Sequence, residues 1–342
     1  MKSFLVKKVP LYIFLIATGL LSLIIYHLYD TAPSAKIEMQ QGIAPQGPDK
    51  KIEQVRLQDY ELTKPLLMTE VMDESPDMKE LKRALGFEIN TMKSNGTIND
   101  ASVYVRKLNV GEWTSVNSST EYAPGSIIKI AALITYLKMS EQNPKLLNKE
   151  FLFQGRKKGV PNQTFNDDAM VAGKSYSAKE LLTRVIVNSD NDATLIINES
   201  LDLDAFKKLF TDLEIAEPDI HDRNFKIDVS DLSKFLRILY NATYLNKDNS
   251  EYALSLLSKS TFTKGIVSGL PADTRIAHKF GETGTPTEAQ LHETAIVYIA
   301  NSPYLITIMT RGNKVQLLPE ALSNLSRITY ESMKAKELSM RN

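Results

Sequence analysis

The chain has 342 residues, 43% hydrophobic and 24% charged, enough to bury a substantial core and unlike a disordered segment. Its 41 basic and 41 acidic residues cancel, so no net field draws it to nucleic acid or to an anionic membrane surface. Cysteine is absent, which excludes a disulfide framework, a thiol nucleophile and thiolate metal sites.

From Pro10 to Tyr29 the run PLYIFLIATGLLSLIIYHLY contains no Asp, Glu, Lys or Arg. About 20 such residues suffice to cross a bilayer as a helix. Lys2, Lys7 and Lys8 precede the run, and basic flanks stay cytoplasmic, which predicts a single-pass cell-membrane anchor over residues 1–30 with the rest of the chain extracytoplasmic. A cleaved signal peptide is the alternative. The run exceeds an ordinary signal core, and only Ala32 to Ala35 (APSA) offers a weak cleavage site. Residues 31–75 are polar and proline-bearing without sustained periodicity, and read as a flexible linker with little structure of its own.

A compact domain is expected over residues 76–342. It opens with a helical pattern, MKELKRALGFEINTMK, followed by two strand-like stretches, ASVYVRKLNV and WTSV. The middle is helical: SIIKIAALITYLKMS, SAKELLTRVIV, ATLIINES, DAFKKLFTDL and VSDLSKFLRILYNATYL repeat apolar residues three or four apart. Strands return in TRIAHKFG, ETAIVYIA and YLITIMTR, and LLPEALSNLSRITYESMKAK forms a closing helix over the sheet. Such segregation predicts an α+β fold, a sheet layer beside a helical lobe.

Pro124-Gly125-Ser126 immediately precede a helical pattern, which puts Ser126 where unpaired amides and the helix dipole favour developing negative charge. Lys129 follows on the same face, one turn on. A serine hydroxyl needs a base within reach, and a lysine serves only if burial or a second cation lowers its pKa. Ser189-Asp190-Asn191 lie between two helical stretches, and His278-Lys279-Phe280-Gly281 lie on a strand. His221, His278 and His292 are too scattered to ligate a metal, and satisfied core or surface positions suit them better. No metal or cofactor is expected, and no feature sets an oligomeric state.

The three elements in this order resemble the S-x-x-K, S-D-N and K-T-G signatures of class A β-lactamases and penicillin-binding proteins. The likeness extends over about residues 100 to 335, and YAPGSIIKIAALITYL resembles the family's nucleophile helix. It implies an antiparallel sheet flanked by helices, and an acyl-enzyme on Ser126 with a β-lactam or a peptidoglycan stem peptide. By the same resemblance Lys129 takes part in activation, Ser189 relays a proton to the leaving nitrogen, and Asn191 holds substrate and Lys129. Lys279 would face a substrate carboxylate and help keep Lys129 neutral, while the amides of Ser126 and of Glu282, after Gly281, would bind the oxyanion.

Two departures matter. Phe280 stands where the family's third motif carries a hydroxyl, and Glu282 adds a negative side chain beside the cleft, which weakens the expected recognition of penicillin-like acids. The family's deacylating glutamate is approximated only by Glu217, in Glu217-Pro218-Asp219-Ile220-His221, within a loop that Asp228 and Ser230 cut short with helix-capping signals. A β-lactamase-like hydrolase is the primary expectation. A D-Ala-D-Ala carboxypeptidase-like enzyme and a non-catalytic cell-envelope binding module with the same cleft are the alternatives.

Overall fold

The computed structural model describes residues 51–58, 60–161, 164–165, 169–218, 225–285, 287–300 and 302–339. The expected anchor, residues 1–30, and the expected linker as far as residue 50 lie outside them. Among the described residues no helix is long and apolar enough to cross a membrane.

The second half of the expected linker is structured, which corrects that expectation. Ile52–Arg56 (β1) and Leu66–Val71 (β2) pair as an antiparallel hairpin, and the compact unit begins at Lys50 rather than at residue 76. The segments are short and mostly outward-facing, so they show no period, and tertiary contacts hold them instead. Val55, Leu67 and Met68 enter the main core, and the Trp113 indole N–H donates to Val71 O. Two buried arginines grip β2: Arg106 and Arg237 each donate to Thr69 O at 2.9 Å. Both also pair with the Glu70 carboxylate, Arg106 at 3.3 Å.

Lys79–Ser94 (α1) leads to the antiparallel pair Asp100–Lys107 (β3) and Trp113–Val116 (β4). A tight 3₁₀ turn, Gly125–Ile128, feeds Lys129–Gln142 (α2). This helix is apolar nearly all round (KIAALITYLK), so it is buried as the central helix of the lobe. A small hairpin, Glu150–Leu152 (β5) with Ser175–Ser177 (β6), precedes Ala178–Thr183 (α3), which starts in a Ser177/Glu180 capping box. Asn191–Glu199 (α4), Leu203–Asp212 (α5), Val229–Tyr240 (α6) and Lys247–Leu257 (α7) complete the lobe, capped by Asp190, Asp202, Asp228 and Asn246.

Arg275–Gly284 (β7), Ala289–Tyr298 (β8) and Tyr304–Gly312 (β9) join β3 and β4 in one antiparallel sheet of order β4-β3-β9-β8-β7, and Leu318–Ser339 (α8) follows. One face packs on α1 and α8 through Val103, Ile306, Ile308, Leu322 and Leu325. The other contributes Tyr104, Leu305 and Met309 to the core of the helical lobe. The expected α+β arrangement is present, with β7 as the edge strand beside the head of α2.

The Glu70 clamp makes a direct prediction. Glu70→Ala leaves two buried guanidinium groups without their counter-charge and should lower unfolding stability by about 3 kcal/mol, read by urea denaturation. A loose linker would show no loss.

Candidate active site

The site is built where the turn before Ser126 presses on β7. Gly125 has φ +54°, and a Cβ there would come within 2.8 Å of Glu282 O. A Cβ at Gly281 would lie 2.6 Å from Pro124 O and 2.9 Å from Ser126 N. Only glycine fits at either position, and the contact brings the Ser126 amide beside the Gly281-Glu282 peptide. Behind it, His292 on β8 stands opposite Gly281 in the strand register and contacts the Ala123 carbonyl at 3.0 Å through Nε2. Its Nδ1 accepts from the Thr310 amide at 3.1 Å. These bonds define a neutral Nε2–H tautomer that pins the chain three residues before Ser126.

Lys129 is buried, and its amine donates to Ser189 O at 2.6 Å and to Asn191 Oδ1 at 2.8 Å, with Ser189 Oγ at 3.4 Å. Burial pushes the amine down to about 7, opposed by the nearby Asp190 carboxylate. Local backbone geometry presents these acceptors. A π-helical turn, Arg184–Asn188, ends in Ser189 at φ 58°, a left-handed conformation uncommon for a non-glycine residue, so that its carbonyl faces Lys129. Asp190 then caps α4, accepting from the amides of Asp192 and Ala193. The Asn191 amide group is oriented at both ends, since Nδ2 donates to Pro161 O at 3.1 Å.

Ser126, Lys129, Asn191 and Glu282 line one cleft of about 590 Å³, with Thr194 and Phe280. Ser189 and Gly281 are buried at its edge. Among the described residues Ser126 Oγ has no hydrogen-bond partner, so the hydroxyl and the Lys129 amine share the cleft without a direct bond. Lys279 is completely buried: its amine donates to Phe280 O at 2.9 Å and sits 4.4 Å from the Phe280 ring centre. Burial and then the Lys129 charge hold it well below the ordinary lysine range. Burial is the first cause of the lowering at Lys129, and the two amines repel each other. Phe280 itself packs onto Phe262, ring centres 4.3 Å apart, on the face of the sheet toward α8.

The structure does not bring Glu217 to this cleft. Its exposed carboxylate accepts from Thr211 Oγ1 at 2.6 Å, at the end of α5. The Glu282 carboxylate accepts from the Thr164 amide at 3.1 Å and from its hydroxyl. Sequence reasoning missed His292 as a positioning group, because its partner Ala123 lies 169 residues away and no local pattern links them. The satisfied-core reading holds for His292 and for His278, whose Nδ1 meets Glu293 Oε1 at 2.6 Å. Among the described residues no cluster of acidic and imidazole side chains could hold a metal.

A helix-borne Ser-x-x-Lys facing a Ser-Asp-Asn turn across from an edge strand is the arrangement shared by class A β-lactamases and penicillin-binding proteins. The chain belongs to the β-lactamase enzyme family, whose sequence model matches residues 81–333. Similar solved structures include a mutant of PBP-A in an acyl-enzyme complex with penicillin G (TM-score 0.64, 17% identity, covering 77% of this chain and 100% of that one). An ancestral class A β-lactamase is also similar (0.63, 18%, 74% and 99%), as is a β-lactamase from Francisella tularensis (0.61, 18%, 75% and 99%). Among curated proteins, none matches in sequence.

His292 carries a pH prediction. Burial lowers its pKa to about 4 from an ordinary 6.5, so between these values the unfolded chain takes up a proton that the folded chain refuses. Stability is retained above pH 6.5 and lost as pH falls toward 4. Between pH 7.5 and 5 this amounts to about 2 kcal/mol, and His292→Gln should flatten that part of the urea-denaturation profile.

Proposed function

We propose that the chain is a serine acyl hydrolase of the β-lactamase-like type, acting on β-lactams or related acyl-D-Ala peptides. The observation that carries this reading is the buried Lys129 amine, near-neutral in pKa and held by Ser189 and Asn191 in the same cleft as Ser126. Neutral Lys129 accepts the Ser126 proton as Oγ attacks the carbonyl. The oxyanion forms beside the amides of Ser126 and Glu282. Ser189, whose hydroxyl is within 3.4 Å of the lysine, passes a proton to the leaving nitrogen as the tetrahedral intermediate collapses to the acyl-enzyme. The similar PBP-A mutant, described as an acyl-enzyme complex with penicillin G, supports the same first step here.

Deacylation is the weak step. Among the described residues lining the cleft the one carboxylate is Glu282, tied to Thr164, and Glu217 stays outside. Water activation then rests on Lys129, and β-lactam turnover is slow. With Lys279 enclosed and Glu282 on the cleft wall, the carboxylate of a β-lactam or acyl-D-Ala peptide gains little charge pairing, so these substrates acylate Ser126 at high KM. The placement of Glu217 also favours the second reading, a penicillin-binding D-Ala carboxypeptidase-like enzyme of peptidoglycan that stays acylated by β-lactams.

Intact-protein mass spectrometry with penicillin G and activated esters tests the reading. An adduct is expected on the wild type and not on Ser126→Ala, and its rate of formation should rise as pH increases through about 7, where Lys129 loses its proton. Glu217→Gln should leave the adduct's lifetime unchanged. A lifetime prolonged about 10²- to 10⁴-fold would instead assign Glu217 as the deacylating base. An unmodified Ser126 with every donor would defeat the hydrolase reading and leave the binding module.

We further propose that Pro10 to Tyr29 anchor the chain with its folded domain outside the membrane, on the strength of the preceding lysines. Protease added to intact spheroplasts should release the domain. Protection until the membrane is permeabilised would mean the opposite orientation.

A further inference from the structure

We infer a second, apolar subsite behind Lys129 that takes the acyl side chain of the substrate. The inference rests on the proposed role of Ser126 and adds to it the class of acyl group. A cavity of about 220 Å³ opens between the head of α2, α4 and the first turn of α5, and its walls are mainly Ile128, Ala132, Leu201, Leu203 and Phe206. It shares Ile128, Lys129 and Thr194 with the main cleft, so the two spaces meet at the catalytic lysine, three residues from the nucleophile.

The α5 helix shows that this hollow is built into the sequence. Its apolar stripe runs Leu203, Phe206, Phe210; the far end, Phe210, is fully buried in the core, yet Leu203 at the near end is 45% exposed and Phe206 only half-buried. The stripe overhangs the cavity instead of closing on α2, where Ala132 is too small to meet it. Among the described residues no acidic side chain lines the space, the one cation there, Lys129, is already bonded to Ser189 and Asn191, and Thr194 and Asn198 are the neutral polar side chains. A charged group entering would lose its water without compensation, whereas an apolar one gains by covering Leu203 and Phe206. The volume suits a phenyl ring or a short alkyl chain. The matching donor is an acyl compound with an aromatic or aliphatic side chain next to the reacting carbonyl, and once seated that side chain displaces water from the flank of Lys129.

The test compares acylation of the full chain by p-nitrophenyl acetate, hexanoate and phenylacetate, each rate divided by that ester's hydrolysis by hydroxide. Hexanoate or phenylacetate should exceed acetate in kcat/KM by about 10- to 100-fold. Ala132→Phe, which fills the cavity, and Leu203→Asp, which charges its exposed rim, should each bring that ratio down toward one. Leu203 lies on the surface, so its variant keeps the test decisive should the Ala132 variant fail to fold. Equal normalised rates in the wild type, or a preference that survives both substitutions, overturn the subsite while leaving Ser126 as the nucleophile. Failure of every ester to acylate Ser126 removes both readings together.

Discussion

Taking a lysine amine out of water at the head of a central helix sets most of what surrounds it. An isolated buried ammonium is costly, so its position persists only with acceptors fixed in place. Ser189 O and Asn191 Oδ1 are those acceptors. To supply them the chain adopts a π-helical turn, places Ser189 in a left-handed conformation, and restarts at once in a helix capped by Asp190. The same burial brings the amine near neutrality.

The sheet supplies the opposite wall through backbone rather than side chains. Gly125 and Gly281 let the turn that carries Ser126 touch β7, and His292 holds that turn from behind with both ring nitrogens committed. Further back, Glu293 accepts from the Ile266 amide and meets His278, so the polar groups under β7 are satisfied away from solvent. Phe262 and Phe280 stack over them. The edge strand is therefore packed and hydrogen-bonded behind the cleft.

How much was legible in the sequence follows the range of the interactions. Helices with a strong 3.6-residue period or a clear cap were readable, as was the Asp228 cap that shortens the loop after α5. Ser126, Lys129 and Asn191 could be placed together because each motif is local and their order is informative. The β1-β2 hairpin was not readable, since Glu70 finds its partners 36 and 167 residues away. The VSDLSKFLRILYNATYL pattern ran past the true helix end at Tyr240, where Ala242 turns left-handed and the polar α7 begins anew. The enclosure of Lys279 and the distance of Glu217 from the cleft are tertiary facts that spacing does not encode.

The double-arginine grip on Thr69 and Glu70 has a further consequence, for reach. Because the hairpin is sewn onto β3 and α6, the strands Ile52–Arg56 and Leu66–Val71 belong to the folded domain and add nothing to the length of a tether. The 25 residues from 51 to 75, fully extended, would span at most ~85 Å that a tether running to residue 75 could have used. For a domain held at a membrane, losing that length narrows the shell it can patrol and raises its local concentration against anything fixed within it.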